Sequence, residues 1–518
     1  MVTNIINWFF VKNERLFTLC FLLIIALKWS FLFIAPVWDE AFSIFPAAGF
    51  LVNHSFDYSL LLAQPPYHDG GPTAHGLSLL TLVTALVLKI TGGGAWAWGI
   101  LHVSQWIMAA AIGTLLTRMY SNLIGVIPAF LLAFATLVYP LMLTQLGSMY
   151  LEVPLLFFSL LAFHYSRVDR TWLASLFLIT ACMIKGSGII AAGVLAFLSF
   201  YDHKKTIGKR ILDAFVMALP ALIVVLVPII IVDHKLSLAP SYESRGIFKI
   251  IMDRNISVYR AYIAYIPELI VIFGSSLLIA ILFLFRGIHG YTQKRQVASD
   301  IVAYNCLFLI LYTLFHFVVY AYIQTSDSHF LSRYFCYSIP SMVFMIYYLF
   351  DKIINKTNIK VFILLVIIGV FLFNRDGLLY PPIPISCIAT AERSEEYIDG
   401  YHVQKEYIHM LEKQMPEEVP IFVNLPDYFL THYAVLGYVS KPLPNVHFIG
   451  HALKAGGMKY TFPDHFLFVY HYPWLGGQLI MRIIREVSNH KEYSVRFLAS
   501  FKKGYFEAYI YEIKRLSS

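Results

Sequence analysis

The sequence predicts an α-helical polytopic membrane protein with about eleven spans, followed by a small extracytoplasmic α/β domain. Three observations predict this class. Hydrophobic residues make up 58% of the 518 residues and charged residues only 14%, whereas soluble domains carry about 25% charged residues. Long apolar runs recur as far as residue 374. After that point the sequence becomes polar, and its short apolar segments are typical of strands.

The spans are predicted from apolar runs close to the length of about 20 residues that a bilayer requires. They lie at residues 16–37, 96–117, 123–141, 151–166, 171–185, 186–201, 211–232, 263–285, 300–322, 334–350 and 359–374. As one helix, residues 171–201 would measure about 46 Å, too long for a single pass. We therefore expect the segment MIKGSG, at residues 183–188, to break this run. The first span lacks a following small-residue cleavage site, so we expect an uncleaved anchor.

One further apolar run, residues 76–91, decides the topology. Short basic loops lie on the cytoplasmic side of a membrane. Six clusters of Lys and Arg separate the apolar runs, and all six lie inside only if residues 76–91 do not cross. We therefore expect a re-entrant or surface helix there, a cytoplasmic N-terminus and an extracytoplasmic C-terminus. The net charge of +8 then belongs to cytoplasmic loops, and nucleic acid is not an expected partner.

The first outer loop, residues 38–95, begins with two adjacent carboxylates, Asp39 and Glu40, in the segment WDEAF. The stretch after them is amphipathic and is expected to form interfacial helices that hold both acids at the lipid boundary. A carboxylate in that position can act as a general base toward a hydroxyl or bind a divalent cation such as Mg²⁺ or Mn²⁺. The alternative is a pair of charges that reach water and have no function.

Three more charged residues lie at span ends on the same predicted side. Glu152 begins a span, Lys185 lies at the predicted break, and Arg333 precedes a span. Two cations on the side of the carboxylates suggest a bound anion, for which phosphate is the natural candidate. Glu152 and Asp39 together could also form a two-carboxylate metal site. The alternatives are an acid that favours a helix N-terminus and a snorkelling lysine.

His68, Asp69 and His75 flank the ambiguous run and are weaker candidates for a substrate or metal site. The glycines of TGGG, at residues 91–94, indicate only a turn, because no strand precedes them and no Lys-Ser/Thr pair follows. Four of the five cysteines lie in or beside apolar runs. Neither a disulfide framework nor a cysteine metal site is therefore expected.

We expect a membrane domain at residues 1–374 and a C-terminal domain at residues 375–518. In the second, SEEYIDGYHVQKEYIHMLEKQM has helical periodicity. Four segments have the pattern of strands, namely VPIFVNL, DHFLFVYHY, YSVRFLASF and FEAYIYEIK.

Five features, in order, resemble the GT-C glycosyltransferases, and within them the branch of protein O-mannosyltransferases and lipid A aminoarabinose transferases. They are WDEAF after the first span, QPPYHDGGPTAHGLSLL before a short helix, SMYLEVPLLFFSLLAFHYSR with its acid before a long helix, ACMIKGSG with its lysine at a span end, and SRYFCYSIP. The resemblance covers residues 1–350 and rests on order and spacing. Glu152 stands where many relatives carry Asp, and YHDGG extends the Pro-Pro stretch.

The resemblance implies that the chain is an inverting hexosyl- or pentosyltransferase. Its donor would be a polyprenyl-phosphate sugar of undecaprenyl or dolichyl type, and its acceptor a lipid, glycan or protein hydroxyl. It implies Asp39, with Glu40, as general base or metal-organising acid and Glu152 in support. It also implies that Lys185 and Arg333 contact the donor phosphate. No cofactor beyond a divalent cation is expected.

The same resemblance implies an active site on the extracytoplasmic face of a cell-envelope membrane. We expect the bacterial inner membrane, with the endoplasmic reticulum or an archaeal membrane as alternatives.

Two other functions stay open at this stage. A polysaccharide polymerase or ligase also uses undecaprenyl-linked donors, but more often relies on Arg and His in a large late loop, whereas the acids here lie in an early loop. A transporter of lipid-linked sugars would place its ionisable residues near the bilayer midplane and would have related halves. The sequence has no visible internal repeat.

Overall fold

The computed structural model describes residues 12–35, 44–63, 78–147, 149, 151–202, 204–233, 249, 251–253, 255–256, 260, 267–290, 296–320, 332–354, 356–373, 397–423, 425–449, 463–472, 493–504 and 506–516. The chain divides into two compact units. The first comprises Met1–Ser30, His102–Leu379 and Cys387–Ser394, and the second comprises Phe31–Leu101, Tyr380–Ser386 and Glu395–Ser518. The predicted domain boundary at residue 374 stays a prediction.

Most of the described residues are helical. The helices up to the first long connection are α1 (Asn13–Lys28), α2 (Phe45–Asn53), α3 (Tyr58–Ala63), α4 (Leu79–Thr91), α5 (Ala95–Ile124), α6 (Val126–Val138), α7 (Pro140–Gln145), α8 (Glu152–Arg167), α9 (Thr171–Ile184), α10 (Ile189–Phe200) and α11 (Ile207–Asp233). The others are α12 (Pro267–Gly290), α13 (Gln296–Leu314), α14 (Ile339–Ile353), α15 (Thr357–Phe373), α16 (Tyr397–Gln414) and α17 (Leu425–His432). A helix therefore lies in each segment predicted as a span.

Three segments of the described helices are long and apolar enough to cross a bilayer. They are Ala95–Ile124, Glu268–Phe285 and Asp300–Val319. Helices of this length and composition are those of an integral membrane protein. No other described helix in the predicted spans meets the same criteria of length and composition over its described residues, so the total of eleven spans stays a prediction.

Helix α4 coincides with the ambiguous apolar run. Ser78 accepts a hydrogen bond from the backbone N–H of Leu80 at 3.2 Å and so caps its first turn. Gly92 ends the helix in the left-handed conformation, with φ 74°. The helix has 13 residues, which gives a length of about 20 Å, well short of the bilayer core of about 30 Å.

Helices α1 and α5 pack side by side in opposite directions. Arg118 donates from Nε to Oδ1 of Asn13 at 2.7 Å, and a Cβ on Gly113 would lie 3.1 Å from Sγ of Cys20. Lys28 lies eight residues after Cys20 and Gln105 lies eight residues before Gly113. Each step is a rise of about 12 Å, which places Lys28 level with Gln105. Lys28 is fully buried, so it faces the packed interior of the first unit rather than snorkelling to water.

A cluster of charges joins two turns of the first unit. Nζ of Lys205 lies 2.7 Å from Oδ1 of Asp169 and 2.9 Å from Oδ2 of Asp213. The hydrogen bond from Lys205 lowers the pKa of Asp169 below its ordinary value. The turn between α8 and α9 is thereby tied to the turn between α10 and α11. Two of the six basic clusters that the predicted topology places inside lie at these turns: Arg167 with Arg170, and Lys204, Lys205, Lys209 and Arg210.

The C-terminal part of the second unit contains a five-stranded sheet. Its strands are β1 (Ile421–Val423), β2 (Val446–Phe448), β3 (His465–Tyr472), β4 (Tyr493–Lys503) and β5 (Phe506–Arg515). The spatial order is β2-β1-β3-β5-β4, in which β1 is parallel to β2 and β3 while the other pairs are antiparallel. All four predicted strands are confirmed, and α16 lies in the predicted helical segment. The short strand β2 was not predicted.

Candidate active site

A buried ion pair joins Glu152 to Lys185 in the first unit. Nζ of Lys185 donates to Oε1 of Glu152 at 2.7 Å, and the two side chains are 11% and 2% exposed. Glu152 is the first residue of α8, where the unpaired N–H groups of the first turn and the helix dipole favour a carboxylate. The two predicted site residues that the structure describes with their side chains are therefore in direct contact.

The position of Lys185 follows from the predicted break in the helix. Helix α9 ends at Ile184, and Lys185 adopts an extended conformation with φ −152° and ψ 133°. A 3-10 turn, Gly186–Gly188, leads into α10. A Cβ on Gly188 would lie 2.8 Å from the backbone carbon of Ala181, whereas residues seven apart in one helix are separated by about 10 Å. The chain therefore folds back here, and the break predicted at residues 183–188 is confirmed.

An aromatic ring lies against the Lys185 ammonium. Nζ is 3.8 Å from the ring centroid of Tyr334, which is within the range of a cation–π interaction. Tyr334 belongs to a 3-10 helix, Ser332–Tyr337. The hydroxyls of Ser159 on α8 and Tyr337 are hydrogen-bonded at 2.7 Å. This bond fastens the 3-10 helix to the helix that carries Glu152.

A histidine packs against the same ring. The rings of His316 and Tyr334 are stacked with centroids 5.8 Å apart, and His316 also lies 4.4 Å from the ring of Tyr312. His316 is 3% exposed and lies in a π-helical turn, Phe315–Tyr320, that continues α13. Single π-helical turns are frequent at functional sites.

The sequence analysis missed Tyr334, His316 and the deeply buried Gln145. A histidine in the middle of the apolar run 300–322 was a signal for His316. Tyr334 directly follows a predicted site residue, Arg333, but nothing in the pattern SRYFCY distinguishes it from the two other aromatic residues there. Both amide atoms of Gln145 are buried without a hydrogen-bond partner in the part of the chain that the structure describes.

Several predicted site residues cannot be placed by this geometry. Asp39, Glu40, His68, Asp69 and His75 lie outside the described residues, as does the side chain of Arg333, whose backbone belongs to the Ser332–Tyr337 helix. Within the described ranges, no group of three or more His, Cys, Asp or Glu side chains could hold a metal ion. Oε1 of Glu152 accepts from the ammonium of Lys185, and the two-carboxylate metal site with Asp39 stays a prediction.

Comparisons with known proteins give weak similarities to solved structures. No family model and no curated protein matches the chain. The fold is similar, with a TM-score of 0.41 and 10% sequence identity, to the crystal structure of ArnT from Cupriavidus metallidurans bound to undecaprenyl phosphate, over 94% of this chain and 97% of that one. ArnT from Cupriavidus metallidurans in the apo state gives the same TM-score at 11% identity, over 95% and 97% of the two chains. A similarity of this strength carries no argument about function.

The arrangement of Glu152, Lys185 and Tyr334 has clear chemical properties. The Lys185 ammonium is held in position by a carboxylate and an aromatic face. In a site of low exposure such a cation interacts with anions more strongly than it would in water. The geometry is therefore suited to stabilising negative charge on a bound group.

Proposed function

We propose that this chain is an inverting membrane glycosyltransferase. It would move a hexosyl or pentosyl group from a polyprenyl-phosphate donor to a hydroxyl of a lipid, glycan or protein on the extracytoplasmic face. The observation that carries the proposal is the buried pair of Glu152 and Lys185 at a helix N-terminus and a helix break. A buried ion pair contributes little net stability, and ionisable residues inside a helical membrane protein mark functional sites by default.

The five sequence features that resemble GT-C glycosyltransferases support the same class of reaction. In the proposed step the acceptor oxygen forms a bond to the anomeric carbon while the bond from that carbon to the donor phosphate oxygen breaks. The acceptor proton passes to a carboxylate, and the polyprenyl phosphate leaves as an anion. We assign the proton to Asp39, with Glu40 beside it in sequence, because loss of that proton makes the hydroxyl a competent nucleophile.

Lys185 and Arg333 are the residues proposed to stabilise the charge that develops on the leaving phosphate. The contact with Lys185 refines the role of Glu152. Because its Oε1 accepts a hydrogen bond from Nζ of Lys185, we assign to Glu152 the positioning of this cation rather than proton transfer. The divalent cation expected from the sequence stays a prediction.

The test is a donor-turnover assay with the full-length protein purified in detergent. Polyprenyl-phosphate hexoses and pentoses are incubated with the protein and, in separate reactions, with lipid, glycan and protein extracts as acceptors, and the released polyprenyl phosphate and glycosylated product are quantified together. Turnover with at least one donor, lost in Asp39→Asn, is the expected result. Absence of turnover with every donor, or equal turnover by Asp39→Asn, contradicts the proposal.

A further inference from the structure

The TGGG turn contacts the C-terminal part of the second unit. The backbone N–H of Gly94 donates to the carbonyl oxygen of Val435 at 3.4 Å. A Cβ on Gly93 would collide with that same carbonyl and would lie 2.8 Å from Cγ2 of Val435. Gly93 has φ 85°, in the region that glycine adopts without strain. The glycine at this position is therefore needed both for the turn and for the close approach of Val435.

A second contact connects the same two stretches of sequence. Gly49, in the middle of α2, lies against the buried Tyr433, and a Cβ on Gly49 would be 3.0 Å from Cγ of that ring. Tyr433 is only 8% exposed. The residues from Tyr433 to Gly437, which include the 3-10 helix Ala434–Leu436, thus contact both α2 and the turn that ends α4. We name residues 433–437 the docking turn.

The segments that contain most of the candidate residues begin and end within this unit. Asp39 and Glu40 lie in sequence between Ala35 and Ile44, which are 6% and 3% exposed. His68, Asp69 and His75 lie between α3 and the buried Ser78, at the start of α4. Helix α2, which contacts the docking turn, therefore follows the first of these segments directly in sequence.

We propose that the C-terminal part of the second unit is a positioning element for α2 and the α4–α5 turn. It acts through the docking turn, and α2 follows directly in sequence the segment that carries Asp39 and Glu40. Its effect on sugar transfer rests on the proposed function, whereas its effect on the order of α2 does not. A domain that only added an independent surface would not need glycines at 49 and 93 for backbone contact.

Gly93→Ala and Gly92→Ala form a matched pair that tests the proposal. Both glycines have positive φ, 85° and 74°, so both variants carry the strain of a left-handed alanine. Only position 93 meets Val435, because a Cβ on Gly92 has nothing within 4 Å. The readout is amide hydrogen exchange of α2 in the full-length protein in detergent. We expect exchange in Gly93→Ala to be about tenfold faster than in Gly92→Ala, as local opening becomes easier.

Tyr433→Ala covers the case in which Gly93→Ala does not fold, because it removes the ring from Gly49 without forcing atoms together. It should also speed exchange of α2. Unchanged α2 exchange in Tyr433→Ala, or equal exchange in a folded Gly93→Ala and Gly92→Ala, would overturn the proposal. The measurement is independent of sugar transfer. If the wild-type protein transfers no sugar but Gly93→Ala loosens α2, the proposed function fails and the positioning role stands.

Discussion

The ammonium of Lys185 lies over the ring of Tyr334, with Nζ 3.8 Å from the ring centroid. The same ammonium donates to Glu152 at 2.7 Å. Lys185 is therefore held from two directions, by a charge and by the negative face of an aromatic ring. Both contacts depend on α8, because Glu152 begins this helix and Ser159 on it is bonded to the 3-10 helix that carries Tyr334.

Two substitutions of Tyr334 separate the ring from the hydroxyl. Tyr334→Phe retains the aromatic face, whereas Tyr334→Leu removes it and keeps an apolar side chain. We expect Tyr334→Leu to lower the free energy of unfolding by about 0.5–2 kcal/mol relative to Tyr334→Phe, which is the size of a cation–π interaction. Thermal unfolding of both variants in one detergent measures the difference. Equal stability would show that the ring face does not hold Lys185.

Replacing one partner of the ion pair should lower the free energy of unfolding much more than replacing both partners. Lys185→Met leaves the buried carboxylate of Glu152 without this partner, and we expect a loss of about 3–5 kcal/mol in unfolding free energy. The double variant Lys185→Met/Glu152→Gln buries no uncompensated charge and should recover most of that loss. The matched comparison is the single variant against the double variant in the same unfolding assay. A double variant as unstable as Lys185→Met would contradict a direct pairing.

Donor binding tests the proposed role of the two cations. Lys185→Met and Arg333→Met should each weaken binding of polyprenyl phosphate by about 1.5–3 kcal/mol, the contribution of a hydrogen bond to a charged group. Acceptor binding should change much less. Binding is measured on the folded fraction of wild type and both variants in one detergent. Unchanged donor affinity in both variants refutes the phosphate site and leaves Lys185 as a partner of Glu152 alone.

Loss of the proposed base should separate activity from stability. Asp39→Asn should lower the rate of transfer by about 10²–10⁴-fold, which is typical for removal of a general base. Its thermal stability should stay close to that of the wild type, since a loop carboxylate at the membrane surface contributes little to folding. Turnover at the wild-type rate excludes Asp39 as the base. Glu152→Gln should also impair transfer, but with a measurable loss of stability.

The topology is testable without a substrate. A reporter enzyme that is active only in the cytoplasm, fused after Ser518, should be inactive, because the C-terminus is predicted to lie outside. The same reporter placed in the turn between α8 and α9, beside Asp169, should be active. Activity of the C-terminal fusion would mean that the number of crossings is even, and the short helix α4 would be the first segment to reconsider.

The C-terminal domain should lose stability in acid through Glu512. Hydrogen bonds from Lys514 and His465, together with the charge of Arg496, lower the pKa of Glu512 below its ordinary value. A carboxyl group with a depressed folded-state pKa stabilises the fold above its ordinary pKa of about 4.3, and that stability is lost as the pH falls through the lowered value.

Pepsin cleavage within β3–β5, followed by mass spectrometry as the pH falls from about 5 to about 2.5, covers this pH window. We expect Glu512→Gln to flatten the pH dependence, because it removes the titrating group. The control is Glu417→Gln, whose ion pair with Lys441 is exposed on both sides and should have little effect. A steep pH dependence that persists in Glu512→Gln would assign the acid sensitivity to other carboxylates.

Local features of the sequence predicted much of this structure. The positions of the helices, the break at Lys185 and the strands β1, β3, β4 and β5 follow from hydrophobic periodicity and from Gly and Pro, which act within a few residues. The predicted topology also put Glu152 and Lys185 at span ends on one side of the membrane. No local pattern specified the distance between them.

The features that could not be predicted depend on contacts between distant segments. The meeting of Tyr334 and His316 with Lys185 joins three helices, and no periodicity indicates which helices meet. The apolar run at β2 is interrupted by His447, whereas the three residues of β1 are all apolar. TGGG was correctly predicted as a turn, but its contact with Val435 depends on a partner in the C-terminal domain. A pattern in one segment holds no information about such a partner.

The charge cluster around Lys205 has a consequence for biogenesis. Its ammonium contacts Asp169, before α9, and Asp213, inside α11. During synthesis these groups can meet only after α9 and α10 have emerged, folded back on one another and been followed by the first turns of α11. The cluster is therefore complete only when both helices of this hairpin and the start of the next helix are in place, so its formation reports the end of that stage of folding.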